Sequence, residues 1–313
     1  MNRRQRRILV LCCSALLCVI VPHSIDGQEE TTLEKVRGLG LSSIPDPIPA
    51  FYSEGYMARA QFLQGVLGRA VDFFSDSFGV EVSLNLAILN EGDWVQVSGT
   101  LPYGALYVTG RPHLVVLPAT TDVPVTQDFL GPTRPEGRVE WLEVGGLSFE
   151  EAAKRMVDLV GFHEVGHTFR EALGIPRVSN WFNEFLASYL AYAFMRAEEP
   201  ILAGVWNGMM HLKAGAERPS HTTLDDFQEL YFGVGLENYV WYQSQFQERV
   251  HEVYEASGLG FVSLVVDSFS SMPEQLEDEV ALRKLEEIVP GFLEWAEVFR
   301  SGDQRPDAGS FQR

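Results

Sequence analysis

Cysteine is nearly absent: the 313 residues hold Cys12, Cys13 and Cys18, and none beyond. A chain without later thiols has no disulfide staple and no thiolate metal ligand. It must stand on its core, and any metal falls to His, Asp and Glu. Positive charge is also scarce, with 24 Lys and Arg against 43 Asp and Glu and a formal charge of −19. Phosphate binding needs a basic face, so this deficit argues against nucleic acid as a partner. No apolar run is longer than the 14 residues from Ile8 to Val21, and no internal repeat is present. Those absences exclude a polytopic membrane protein and a repeat architecture. What is present is 46% hydrophobic and 21% charged residues, the make-up of a globular chain with apolar mass for a sizeable core.

The first residues read as an export signal. Arg3, Arg4, Arg6 and Arg7 precede the apolar run, which fits a secretory h-region and is short for a membrane span. Gly27, before Gln28, is the best small residue for cleavage. The expectation is a signal peptide over 1–27 of an exported protein, periplasmic or secreted, with no membrane span beyond that segment. Left uncleaved, the segment would serve as an anchor. Taking four arginines and Asp26 from 24 basic and 43 acidic residues leaves 20 against 42, a balance of −22.

Residues 28–50 are polar, then Pro-rich (Pro45, Pro47, Pro49), and read as a linker. Leu63, Val66, Leu67, Ala70 and Phe74 recur at three and four, which predicts a helix from about Ser53 that Gly79 ends. Val82, Leu84, Leu86 and Ile88 alternate as one face of a strand, and Gly92-Asp93 reads as a turn. Ala105–Thr109 and His113–Leu117 flank Gly110-Arg111-Pro112, a hairpin pattern. The stretch 119–146 is rich in proline and glycine with little periodicity, and reads as a long surface loop.

From Ser148 the pattern is helical. Ser148 and Glu151 make a capping box for a helix to Leu173, closed by Gly174. A second helix spans about Asn180–Ala197, and others cover about 201–214, 224–232, 236–256, 260–269 and 276–299. A polar tail, 301–313, is expected to be disordered. The predicted fold class is α+β: a small N-terminal helix-and-sheet lobe over 51–146, then a mainly helical lobe over 147–300.

The chemistry gathers in the helix after Ser148. Gly161-Phe162-His163-Glu164-Val165-Gly166-His167 contains His-Glu-x-x-His, and residues four apart share a helix face, so His163 and His167 can hold one metal together. Two imidazoles without thiolate suit zinc with an open position. Glu164 lies roughly 100° further round the helix, where it would take a proton from an activated water rather than ligate. The helix runs about 9 Å past His167, turns through 174–179, and returns about 7 Å to Glu184. An antiparallel pair would set Glu184 level with His167 as third ligand to one zinc per chain.

His163 to His167, followed after sixteen residues by the glutamate of Trp181-Phe182-Asn183-Glu184, resembles the gluzincin metallopeptidases and their peptidase MA-like domains. The Trp-Phe-Asn-Glu segment is similar to the Trp-Leu-Asn-Glu of zinc aminopeptidases. The resemblance covers about 105–256, with specific motifs between 162 and 192. It implies a zincin-like fold with an active-site cleft between the lobes, zinc on His163, His167 and Glu184, and Glu164 as general base and acid. It further implies a cleft strand that takes substrate as an added edge strand, for which His113–Leu117 is the candidate, and a tyrosine that faces the zinc. In Asn238-Tyr239-Val240-Trp241-Tyr242-Gln243 that tyrosine is Tyr239, with Tyr242 in reserve. His211 and His221 are isolated donors of the kind usually found on the surface, and Glu171 reads as a helix-face charge.

Three positions depart from related patterns. Gly104-Ala105-Leu106-Tyr107 lacks the acid with which aminopeptidases hold a free amine. Ser188 stands where thermolysin-like enzymes carry the aspartate that orients a zinc histidine, and Leu173 occupies the third-histidine position of metzincins. The functional expectation is an exported zinc metallopeptidase acting on peptide or protein substrates. The alternative is a catalytically inactive zincin-like binding module of the cell envelope.

Overall fold

The computed structural model describes residues 31–130, 147–215, 218–231 and 233–300. The export segment over 1–27, positions 131–146 of the expected loop and the tail from 301 lie outside the described residues.

The N-terminal part is a five-stranded mixed sheet between two helical layers. Its strands are β1 (Ser42–Ile44), β2 (Ala50–Tyr52), β3 (Leu84–Leu89), β4 (Tyr107–Thr109) and β5 (His113–Pro118), in the order β1-β2-β3-β5-β4. β3 runs parallel to β2 and β5, while β1 and β4 close the ends antiparallel. All six residues of β3 are buried. Leu86 and Ile88 belong to the main core with helix α2 (Met57–Phe78), and Ala87 and Leu89 to a second cluster with Val36 and Trp94. Burial on both faces explains why Leu84–Leu89 is apolar almost throughout, as parallel strands covered on both sides are.

The layer over that second face corrects two expectations. The stretch expected as a linker over 28–50 contains helix α1 (Thr32–Gly38), opened by a Thr31–Glu34 capping box, together with β1 and the start of β2. The expected turn at Gly92-Asp93 lies inside helix α3 (Glu91–Ser98), whose N-cap Asn90 accepts from Asp93 N. In both places a cap satisfies the first helical N–H groups, and Leu33, Val36, Trp94 and Val97 find a sheet face to cover. A third correction concerns His113–Leu117. The hairpin forms, but its second strand β5 is paired on both sides, to β3 and β4, so it has no edge to offer. The edge there is β4.

Helix α4 (Pro124–Leu130) follows, inside the stretch from 119 expected as loop throughout, where Val123 and Val125 find core to cover, and the rest of the described chain is mainly helical. The order is α5 (Phe149–Ala172), α6 (Asn180–Glu198), α7 (Pro200–Ala214), α8 (Leu224–Leu230), α9 (Leu236–Ser257) and α10 (Gly260–Phe269). The helix expected over 276–299 is broken into α11 (Asp278–Ile288), α12 (Phe292–Ala296) and a 3-10 turn (Glu297–Phe299). Pro290 has no N–H to continue the ladder, Gly291 takes φ +102°, and Glu286 caps the restart by accepting from Gly291 N and Leu293 N. Helices α5 and α6 are buried nearly all round, as helices at the centre of a large core must be. That core is continuous, from the β3 face through Phe162 and Phe169 to Trp181, Phe246 and Trp295. The architecture is thus mixed α+β. Among the described residues, no helix is long and apolar enough to cross a membrane.

Candidate metal centre

Both histidines sit in the buried middle of α5, which Ser148 starts with the expected capping box and Gly174 leaves at φ +69°. One helical turn apart, their rings stand edge to face at 4.7 Å. Helix α6 returns antiparallel beside them. Gly166 permits the approach: a Cβ there would stand 2.6 Å from the Ala187 carbonyl oxygen and 3.0 Å from its Cα. That backbone contact brings Glu184 onto the two imidazoles.

Glu184 Oε2 lies 3.0 Å from His163 Nε2, and Oε1 lies 3.5 Å from His167 Nε2. One ligand atom from each of the three residues falls within 4.8 Å of the others. His163, His167 and Glu184 are all buried, Glu184 completely. A lone buried carboxylate would cost several kcal/mol or neutralise itself. Here it is held ionised. Tyr231 OH donates to Oε1 at 2.6 Å, while Tyr239 OH and Gln243 Nε2 donate to Oε2 at 2.9 and 2.8 Å.

Titration follows from these contacts. Burial pushes the Glu184 carboxyl up, but the imidazoles of His167 and His163 and the Tyr231 hydroxyl outweigh it and hold it well below the carboxylate range. Burial likewise disfavours charge on His163, yet the hydrogen bond and charge of Glu184, with the charge of Glu164, raise its pKa. For His167 burial wins, pushing it down to about 3, so this imidazole is neutral at pH 7. Two imidazoles and one ionised carboxylate, with no thiolate, make a donor set that fits a catalytic zinc site.

Glu164 is also buried, next to His163 on α5, and lies outside the converging group. Tyr239 is at the cluster, with its hydroxyl on Glu184 Oε2; Tyr242 OH instead donates to the Thr223 carbonyl at 2.6 Å. His211 is largely exposed and 3.0 Å from Glu248, and His221 faces Asp226. Glu171 anchors the hairpin to α5, 2.8 Å from Arg111 Nε and 3.6 Å from His113 Nε2. Ser188 does orient a histidine, its Oγ lying 3.0 Å from His163 Nδ1.

Two residues at the site escaped sequence reasoning. Gln243 follows Tyr239 by four on α9 and so shares its face, a spacing that could have flagged it. Tyr231 lies just past the end of α8, and nothing local marks it. No family model, curated protein or solved structure matches the chain, so the site stands on its own geometry.

Proposed function

We propose that the chain is an exported zinc metallopeptidase of the gluzincin type, with a zincin-like fold, acting on peptide or protein substrates. The observation that carries this reading is the buried convergence of His163, His167 and Glu184, with Glu164 following His163 on the same helix. A Zn2+ held by those three side chains would supply Lewis acidity, polarising a substrate carbonyl and bringing the pKa of water to about 7. Glu164 accepts a proton from the attacking water and returns it to the leaving nitrogen as the carbon–nitrogen bond breaks. Tyr239 is the hydroxyl we assign to the developing oxyanion, turning to it from Glu184. Export rests on the arginine-led apolar segment of residues 1–27.

Zinc content and cleavage of a mixed peptide library test the reading. Wild type should carry one zinc per chain and cleave, and Glu184→Ala should lose the zinc. Glu164→Gln keeps nearly the same shape but cannot take a proton. It should keep fold and zinc while activity falls by about 10² to 10⁴, the usual worth of general acid–base catalysis. An unchanged rate in Glu164→Gln refutes the mechanism. Zinc without cleavage of any library member would favour the envelope binding module.

A further inference from the structure

A histidine ligand offers a metal one ring nitrogen, and the hydrogen bond at the other decides which. At His163 that bond involves no acid. Gln243 Nε2 stands 2.8 Å from Glu184 Oε2 and 2.9 Å from the Tyr239 hydroxyl oxygen. Only the NH2 end of an amide can face an ionised carboxylate, and its two N–H groups match these two acceptors. The amide orientation follows: Oε1 turns to Ser188, whose Oγ donates to it at 3.4 Å. With its one proton committed there, the Ser188 hydroxyl can only accept at its 3.0 Å contact with His163 Nδ1. Nδ1 therefore carries a proton, and Nε2, which here donates to the ionised Glu184 Oε2 at 3.0 Å, is the nitrogen offered to a cation that takes that proton's place. His167 has no such chain, for its Nδ1 has no hydrogen-bond partner among the described residues.

The geometry points to Gln243, acting through Ser188, as a positioning residue that selects the tautomer and ring orientation with which His163 meets the metal. The inference rests on the metal reading above and deepens it. A neutral amide, 55 residues along the chain from Ser188 and on another helix, takes the part usually given to a carboxylate. It holds two ligands at once, Glu184 directly and His163 through the serine.

The test is zinc affinity of the purified protein, by competition with a chromophoric chelator, with melting of the metal-free form as a folding control. Ser188→Ala should weaken zinc binding by about 10- to 100-fold, and Ser188→Thr, which keeps the hydroxyl, should restore most of it. Gln243→Met should weaken binding at least as much. The double variant Ser188→Ala/Gln243→Met should be no weaker than Gln243→Met, because both break one chain. If Gln243→Met does not fold, Ser188→Ala, which removes a single oxygen, decides the matter. Affinity equal to wild type in Ser188→Ala, or a Thr variant as weak as the Ala variant, overturns the inference alone. A wild type that binds no zinc overturns the metal reading and this inference with it.

Discussion

Gly166→Ala puts the whole site to the test with one methyl group. In an exposed helix interior, alanine in place of glycine gains about 1 kcal/mol from backbone entropy. At position 166 the new Cβ would stand 2.6 Å from the Ala187 carbonyl oxygen, 3.0 Å from its Cα and 3.2 Å from its carbonyl carbon. Those atoms are backbone, so no rotamer change relieves them. Restoring ordinary contact at 3.4 Å requires α6 to move off α5 by roughly 0.8 Å. Overpacking a close-packed core costs about 1–3 kcal/mol, and an unyielding contact belongs at the upper end. The net loss is then about 2 kcal/mol after the helix-propensity gain, or roughly 3 °C in Tm at this size. The same shift carries Glu184 away from His163 and His167, while metal–ligand distances tolerate about 0.2 Å. Zinc affinity should fall at least tenfold. Gly65→Ala in α2 and Gly204→Ala in α7 are the controls, since a Cβ at either meets nothing within 4 Å. Both should hold or raise Tm and leave zinc binding alone. Differential scanning calorimetry and chelator competition read both quantities. A Gly166→Ala protein as stable and as tight as wild type would refute the close helix approach on which the site depends.

Two further perturbations bear on other parts of the structure. A chelator should lower the Tm of the zinc-loaded protein by removing a ligand of the native state, whereas reductant should not move it, because no cysteine follows Cys18. A melting curve indifferent to chelator would count against a metal in the helical core. Burial raises the Asp278 carboxyl above its ordinary 3.8, even though Trp181 Nε1 donates to it at 2.6 Å. As pH rises from 3.8 through the folded value, the unfolded chain releases this proton while the fold keeps it. Stability therefore falls across that window and the cost persists above it. Asp278→Asn keeps an acceptor for Trp181 without the charge. Its stability profile from pH 3 to 7, by urea unfolding, should lose that falling component; a profile parallel to wild type would show that Asp278 titrates normally.

Much of the site was legible because its signals are local. The one-turn spacing of His163 and His167, the Ser148–Glu151 cap and the stop at Gly174 all depend on residues within a few positions of one another. Helical rise was enough to set Glu184 opposite His167. The hairpin at Gly110 and the helix over Met57–Phe78 were legible for the same reason. A pattern of period two or three to four reports which face of an element is apolar. It does not report what covers that face.

Tertiary structure decided whatever depends on a distant partner. Whether His113–Leu117 is an edge or an interior strand turns on pairing with β3, some thirty residues earlier, and no strand pattern encodes its neighbours. Residues 28–50 looked like a linker because α1, β1 and β2 are too short to show a period, and only the sheet face they cover gives them a reason to form. The donors that hold Glu184 ionised come from Tyr231, Tyr239 and Gln243, 47, 55 and 59 residues further along the chain. Hydrogen bonding across helices requires side chains to meet in space, and sequence separation carries no information about that. Residue types and helical spacing nominated the three converging side chains; the packing of α9 and the segment after α8 against α6 supplied the polar surround in which a buried carboxylate stays ionised.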